Sequence, residues 1–128
     1  MYKILPIFLL ATSTWGQGQK ANKDTTAEGW MATCRPVYET KAKPDGSLKL
    51  PATFDAGQCW GAFEALVAMS SWTDNGKPLL RICPPPEATN PHRWVTLFVE
   101  YLDAHPDRKN AGFESVAIAA LQSAFPCR

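Results

Sequence analysis

The sequence contains no C-x-x-C pair, no H-E-x-x-H, no acidic cluster with calcium-loop spacing and no glycine-rich phosphate loop. Those absences remove the usual signatures of a zinc site, a metalloprotease, a calcium hand and a nucleotide site. No metal and no cofactor is expected. The chain also lacks a surplus of either charge. Thirteen Lys and Arg stand against twelve Asp and Glu, for a formal charge of +1, so no basic field is available to steer a nucleic acid. Internal repeats, coiled-coil heptads and low-complexity tracts are missing too. What is present is a chain of 128 residues, 45% hydrophobic, with 11 Pro, 5 Trp and 4 Cys. That is the material for one packed domain and not for a disordered segment.

The first residues read MYKILPIFLLATSTWG. One positive charge, Lys3, precedes an apolar run from Ile4 to Ala11, followed by small and polar residues. This is the three-part layout of a secretory signal peptide. The run is about eight residues, far short of the roughly 20 that span a bilayer, so no membrane span is expected in the mature chain. Thr14-Trp15-Gly16 is a tolerable cleavage site, giving a signal peptide over 1–16. Residues 17–25 are polar without an apolar face and read as a flexible leader. Residues 26–128 then form a single helical domain.

Export bears on the cysteines. Cys34, Cys59, Cys83 and Cys127 all lie in the mature part, and an even number in an oxidising compartment favours disulfides. Three connectivities are open at this point.

Hydrophobic spacing predicts an all-α fold, a small bundle of about four helices stapled by disulfides. Thr26 caps a first helix running to about Glu39, with Trp30, Cys34 and Val37 on its inner face and Pro36 forcing a kink or an early stop. Residues 40–56 read mostly as loop, with a Pro44-Asp45-Gly46 turn and a conceivable short strand at Leu48 and Leu50. The clearest helix runs from Cys59 to Ser71. Asp55 or Gln58 is its expected cap, and Trp60, Phe63, Val67 and Ser70 form its stripe, widened by Leu66 and Met69. Asn75-Gly76 is a strong turn signal, but Leu79–Ile82 is a poor partner strand, so the segment reads as a helix connector. Thr89 or Asn90 with Pro91 opens a third helix, which ends at His105-Pro106. Trp94 or Val95, Phe98, Tyr101 and Leu102 face inward on it. A fourth helix starts near Ala111 and stops at Phe125-Pro126-Cys127.

Catalytic residues are not evident. The segment Gly57 to Phe63 resembles the nucleophile segment of papain-like proteases, where a helix N-terminus lowers the pKa of a Cys thiol. The partner His of that family lies well over a hundred residues downstream, and this chain ends too soon. His92 and His105 instead flank one helix, and Cys59 has three other cysteines with which to pair. The acids are scattered on polar faces. Trp60 and Trp94 lie on apolar faces and read as core, whereas Trp72 lies beside a turn. A partly exposed Trp there is a good anchor for a protein partner. By exclusion the expected function is binding, not catalysis.

The second half carries a recognisable order of elements: CWGAFEALVAM, RICPPP, FVEYLDAHP and IAALQSAFPC. The features are Cys59 with Gly61 and Phe63, Cys83-Pro84, Tyr101-Leu102 with His105-Pro106, and Ala120-Leu121 with Phe125-Pro126-Cys127. Behind a signal peptide, this order resembles the Tai/Rap family of small periplasmic immunity proteins of Gram-negative type VI secretion systems. The resemblance covers about 57–128, and Cys34 fits an earlier family cysteine. The insert from Thr40 to Ala56 and the run Pro84-Pro85-Pro86 depart from the family pattern.

The resemblance implies a periplasmic helical protein, not itself an enzyme, that binds a cognate peptidoglycan amidase effector. It would block that toxin sterically, with a protruding loop in the substrate groove, and it would form a homodimer. On that reading the loop from Trp72 to Pro78 is the first candidate for the partner-binding segment. It offers Trp72 as anchor and Asp74, Asn75 and Lys77 as polar contacts. The stretch from Pro84 to Asn90 is the second. Economy of topology favours the bridges Cys34–Cys59 and Cys83–Cys127. Two alternatives stay open: an exported structural or stress-related helical protein without a toxin partner, and an enzyme or small-ligand carrier.

Overall fold

The computed structural model describes residues 25–128. The signal peptide expected over 1–16 and the leader expected over 17–25 lie outside the described residues, apart from Thr25. Four helices dominate: α1 (Ala27–Tyr38), α2 (Phe54–Ser70), α3 (Pro91–Ala104) and α4 (Phe113–Ala124). Between α2 and α3 stand two short antiparallel strands, β1 (Thr73–Asp74) and β2 (Lys77–Pro78). The all-α reading holds, and both expected bridges are formed: Cys34–Cys59 ties α1 to α2, and Cys83–Cys127 ties the segment after the hairpin to the tail.

The helices begin where side chains can satisfy their orphan N–H groups. The Thr26 hydroxyl accepts from Gly29 N at 3.1 Å, and the Asn90 side chain accepts from His92 N at 2.9 Å. Pro91 then occupies the first helical position of α3, where its missing N–H costs nothing. Further N–H groups of α1 find backbone partners: Ala27 N and Glu28 N donate to Ala111 O and Lys109 O. Thr26 also bridges to Gly112, so the start of α1 is fastened to the entry of α4. Pro36 lies in the last turn of α1, and the helix ends two residues later at Tyr38.

Two local expectations, the start and cap of α2 and the start of α4, need correction. Helix α2 starts five residues before Cys59, at Phe54, and neither Asp55 nor Gln58 caps it. Thr53 does, accepting from Ala56 N at 3.2 Å. A threonine in extended conformation outcompetes the two acid and amide candidates because they already lie inside the helical turn. The buried stripe of α2 is correspondingly shifted to Ala56, Cys59, Phe63 and Leu66, with Trp60, Val67 and Ser70 only half-buried. Helix α4 starts at Phe113, two residues later than expected, after Gly112. Leu48 and Leu50 form no strand; Leu50 packs half-buried against the core.

One aromatic cluster marks where the helices meet. Phe63 of α2, Phe98 of α3 and Phe113 of α4 form three mutual ring contacts with centroids 5.4–5.8 Å apart, and Trp30 of α1 stacks on Phe113 at 4.2 Å. Each such pair adds about 0.5–1.5 kcal/mol beyond the area it buries. Cys34 and Cys59 are fully buried in the same core. The only salt bridge among the described residues is the exposed Arg35–Glu39 pair at 3.8 Å, a type worth at most about 1 kcal/mol. Apolar packing and the bridges therefore hold the bundle.

Candidate functional site

The segment that reads from sequence as a connector is a hairpin. Asn75 and Gly76 both have positive φ, 50° and 75°. That pair of left-handed residues is the geometry of a two-residue type I′ turn, whose twist matches antiparallel strands. The obstacle posed by Leu79–Ile82 disappears because the strands are only two residues long. Pro78 is no obstacle either. Leu79 N donates to Trp72 O at 2.8 Å, and Thr73 pairs with Pro78 between that bond and the turn. Hydrogen-bonded and non-bonded pairs alternate along an antiparallel ladder, so Pro78 falls where no N–H is needed.

The same alternation sorts the side chains. Residues directly opposite share a face, and neighbours along a strand point to opposite faces. Asp74 opposes Lys77, and the bond between Leu79 and Trp72 carries the register one step further. Trp72, Asp74, Lys77 and Leu79 therefore project on one face of the hairpin. All four are exposed, Trp72 and Leu79 each at 55%. Of the expected partner-binding residues, the hairpin brings Trp72, Asp74 and Lys77 together on that face and places Asn75 at its tip. Leu79 is the residue that sequence reading missed. Its signal was available, because it mirrors Trp72 about Asn75-Gly76.

The opposite face carries Thr73 and half-buried Pro78. Pro78 lines two open clefts beside the hairpin. One, of about 640 Å³, is bounded by Val67 and Ser70 of α2, by Ser71 just after it and by Ile82, Cys83 and Thr89. The other, of about 530 Å³, is bounded by Lys77, Arg81, Gln122 and the tail residues Pro126, Cys127 and Arg128. The second candidate segment, Pro84 to Asn90, contains a single 3-10 turn at Pro86–Ala88. Its buried Ala88 gives a carbonyl to the indole N–H of Trp94 at 2.6 Å. Part of that segment thus serves the core, while Pro85, Pro86 and Glu87 remain exposed.

An isolated hairpin this short is unstable in water, and here the body holds it from both ends. Trp72 N donates to Met69 O at the end of α2. On the return side the Gln122 amide of α4 donates to Leu80 O at 2.9 Å, Cys83 N donates to Phe125 O at 2.9 Å, and the Cys83–Cys127 bridge follows. An exposed aromatic on a loop fixed in this way is the arrangement of a recognition element on a rigid scaffold.

Elsewhere the polar groups have structural employment. Cys59 lies in the second turn of α2, bonded to Cys34 and without solvent contact, so it is not a thiolate at a helix N-terminus. His92 Nε2 lies 2.9 Å from Thr40 O and ties the loop after α1 to α3. His105 Nδ1 lies 2.8 Å from Tyr101 O, with its ring stacked on Tyr101. Among the described residues no group of three His, Cys, Asp or Glu lies close enough together to hold a metal ion. The arrangement can bind by shape and by apolar contact.

Comparison with known proteins agrees with that architecture. A model of the Rap1a immunity proteins matches residues 26–127, from the cap of α1 to the last cysteine. No curated protein and no solved structure matches the chain. The matched span takes in all four helices, both bridges and the hairpin, and the chain belongs to the Rap1a family of immunity proteins.

Proposed function

We propose that this immunity protein acts in the periplasm by binding a peptidoglycan amidase toxin of a type VI secretion system and blocking it sterically. The observation that carries the reading is the hairpin between α2 and α3. It presents Trp72 and Leu79 to solvent on one face of a braced turn in a chain of an immunity family. Large apolar side chains of this kind anchor protein interfaces when a partner covers them. In the complex the tip, Asn75-Gly76, enters the substrate groove of the toxin and excludes the peptide stem. Occlusion needs complementarity and no chemistry, so the protein works without catalysis.

Two closed disulfides and no free cysteine support an oxidising compartment. The signal peptide over 1–16 belongs to the same proposal, and so does the homodimer implied by the resemblance.

The test is co-expression, in a periplasm, with the amidase toxin whose gene is expected next to this chain's gene. The full chain is expected to prevent lysis and to co-elute with the purified amidase. Lysis without rescue, together with no complex on gel filtration, overturns the proposal. Mass measurement of the exported chain checks removal of 1–16, and sedimentation equilibrium checks the dimer.

A further inference from the structure

The cleft beside the hairpin has a sign. Lys77 and Arg81 line it together with Gln122, Pro126, Cys127 and Arg128, and no Asp or Glu is among its walls. Lys77 sits on β2 and Arg81 on the turn that follows, so two cations hold fixed places on the hairpin and its return. Neither has an ion-pair partner, since the one salt bridge among the described residues is Arg35–Glu39. Asp74, across the strand pair from Lys77, is the one acid on the hairpin, and it lies outside the cleft lining.

Arg81 adds an independent observation. Its φ is +56°, in the left-handed region, where a residue with a Cβ is strained by roughly 1–2 kcal/mol. The conformation is held from both sides: Arg81 N donates to Pro78 O at 3.2 Å, and the preceding carbonyl, Leu80 O, accepts from Gln122. Backbone strain of this kind concentrates where a side chain must be aimed. Here it belongs to an exposed guanidinium at the mouth of a cleft of about 530 Å³.

We infer that this cleft receives an acidic segment of the toxin, with carboxylates held by Lys77 and Arg81 while an adjoining apolar surface of the toxin covers Trp72 and Leu79. The inference rests on the proposed function and specifies the chemistry of the partner. Unpaired cations beside an exposed apolar pair form a surface that a carboxylate-bearing apolar segment complements. A guanidinium accepts a carboxylate in bidentate fashion, and charge complementarity sets orientation and association rate.

The experiment titrates the full oxidised chain with the catalytically inactivated amidase toxin whose gene is expected next to its own, at low and high salt. Three variants join the wild type: Lys77→Glu/Arg81→Glu, Arg81→Gly and Trp72→Ala. The double reversal is expected to weaken binding by at least about thirtyfold at low salt and to invert the salt dependence seen with the wild type, because salt then screens a repulsion instead of an attraction. Arg81→Gly is expected to weaken binding several-fold while keeping or raising the melting temperature, because it removes the guanidinium and relieves the strain together. Unchanged affinity of Arg81→Gly, whatever its melting temperature, would mark Arg81 as merely structural and overturns the inference. If Trp72→Ala abolishes binding and the double reversal binds like wild type at every salt concentration, the inference fails and the hairpin reading stands. If the wild-type chain does not bind the amidase, both fail.

Discussion

The two bridges close two regions of the molecule that are held by different physics. Cys34–Cys59 lies where α1 crosses α2, fully buried beside Phe63 and the aromatic cluster. Cys83–Cys127 lies at the surface, with Cys83 half-buried and Cys127 exposed, at the foot of the hairpin. Around the first bridge, position follows from burial: each side chain has apolar neighbours on several helices. Around the second, Ile82 and Phe125 reach into the core, and the exposed part beyond them is held by discrete ties, the Gln122 side chain to Leu80 O, Cys83 N to Phe125 O and the bridge itself. The first region supplies stability. The second holds an exposed surface in one shape, which burial alone cannot do.

The largest expected difference comes from removing one aromatic in each region. Phe63→Ala opens the cluster shared by α2, α3 and α4 and should cost about 3–5 kcal/mol, near the whole stability of a small domain. Trp72→Ala removes a larger side chain that is 55% exposed and should change stability by no more than about 0.5 kcal/mol. Chemical denaturation of both variants checks the contrast. A loss above about 2 kcal/mol for Trp72→Ala would mean that the hairpin is part of the core, and the division into two regions would fall.

The bridges sharpen the comparison because loop length and burial rank them in opposite orders. They close separations of 25 and 44 residues, so chain entropy alone assigns about 3.5 kcal/mol to the inner bridge and about 4 kcal/mol to the outer one. Burial reverses the order. Replacing Cys34 and Cys59 by Ala also leaves a void in packed surroundings, whereas Cys83→Ala with Cys127→Ala empties one half-buried and one exposed position, where solvent can fill the space. The inner double variant is expected to lose more stability. Mild reduction followed by thiol labelling and peptide mapping should find Cys83 and Cys127 labelled first, because a reductant reaches Cys127 without unfolding the bundle.

How much of this was legible depends on the same division. The apolar periodicity of α1, α3 and α4, the caps at Thr26 and Asn90 and the stops at His105-Pro106 and Phe125-Pro126 are local signals, and local signals decided those elements. Helix α2 was mis-phased because Thr53 lies in a segment rich in Pro, Gly and Asp that reads as loop; only the packing of Ala56 and Cys59 against α1 draws its start back to Phe54. At the hairpin, Asn75-Gly76 stated the turn, but the brevity of the strands hid the pairing and with it Leu79. The positive φ of Arg81 has no sequence signal at all. It is imposed by contacts with Pro78 and with α4, forty residues further along the chain.

A smaller effect is expected from the turn itself. Gly76→Ala forces a Cβ onto a residue with φ of 75°, although nothing stands within 4 Å of the new atom. The cost is therefore backbone strain alone, about 1–2 kcal/mol. If the two regions are separable, that strain opens the hairpin locally and leaves the bundle intact. Hydrogen exchange should then speed up at Leu79 N–H and stay unchanged in α1 and α3, with partner binding weakened and the melting temperature little altered.

The smallest effect concerns a third turn, remote from both bridges, and serves as a control for the comparison. Asp45 is held below the usual carboxylate range because its Oδ1 accepts from the Ser47 hydroxyl at 2.6 Å and from Ser47 N at 2.9 Å. A carboxyl with a depressed folded pKa favours the folded turn at pH above its unfolded value, and that contribution is lost as pH falls through the folded value. The group is fully exposed, so the loss is confined to the turn around Gly46. A carbon-detected titration should place Asp45 below the usual aspartate range, and Ser47→Ala should return it toward that range without moving the melting temperature. A global shift on that substitution would show that the Asp45–Ser47 turn itself is coupled to the bundle, beyond the contacts that Leu50 and Thr40 make with the helices.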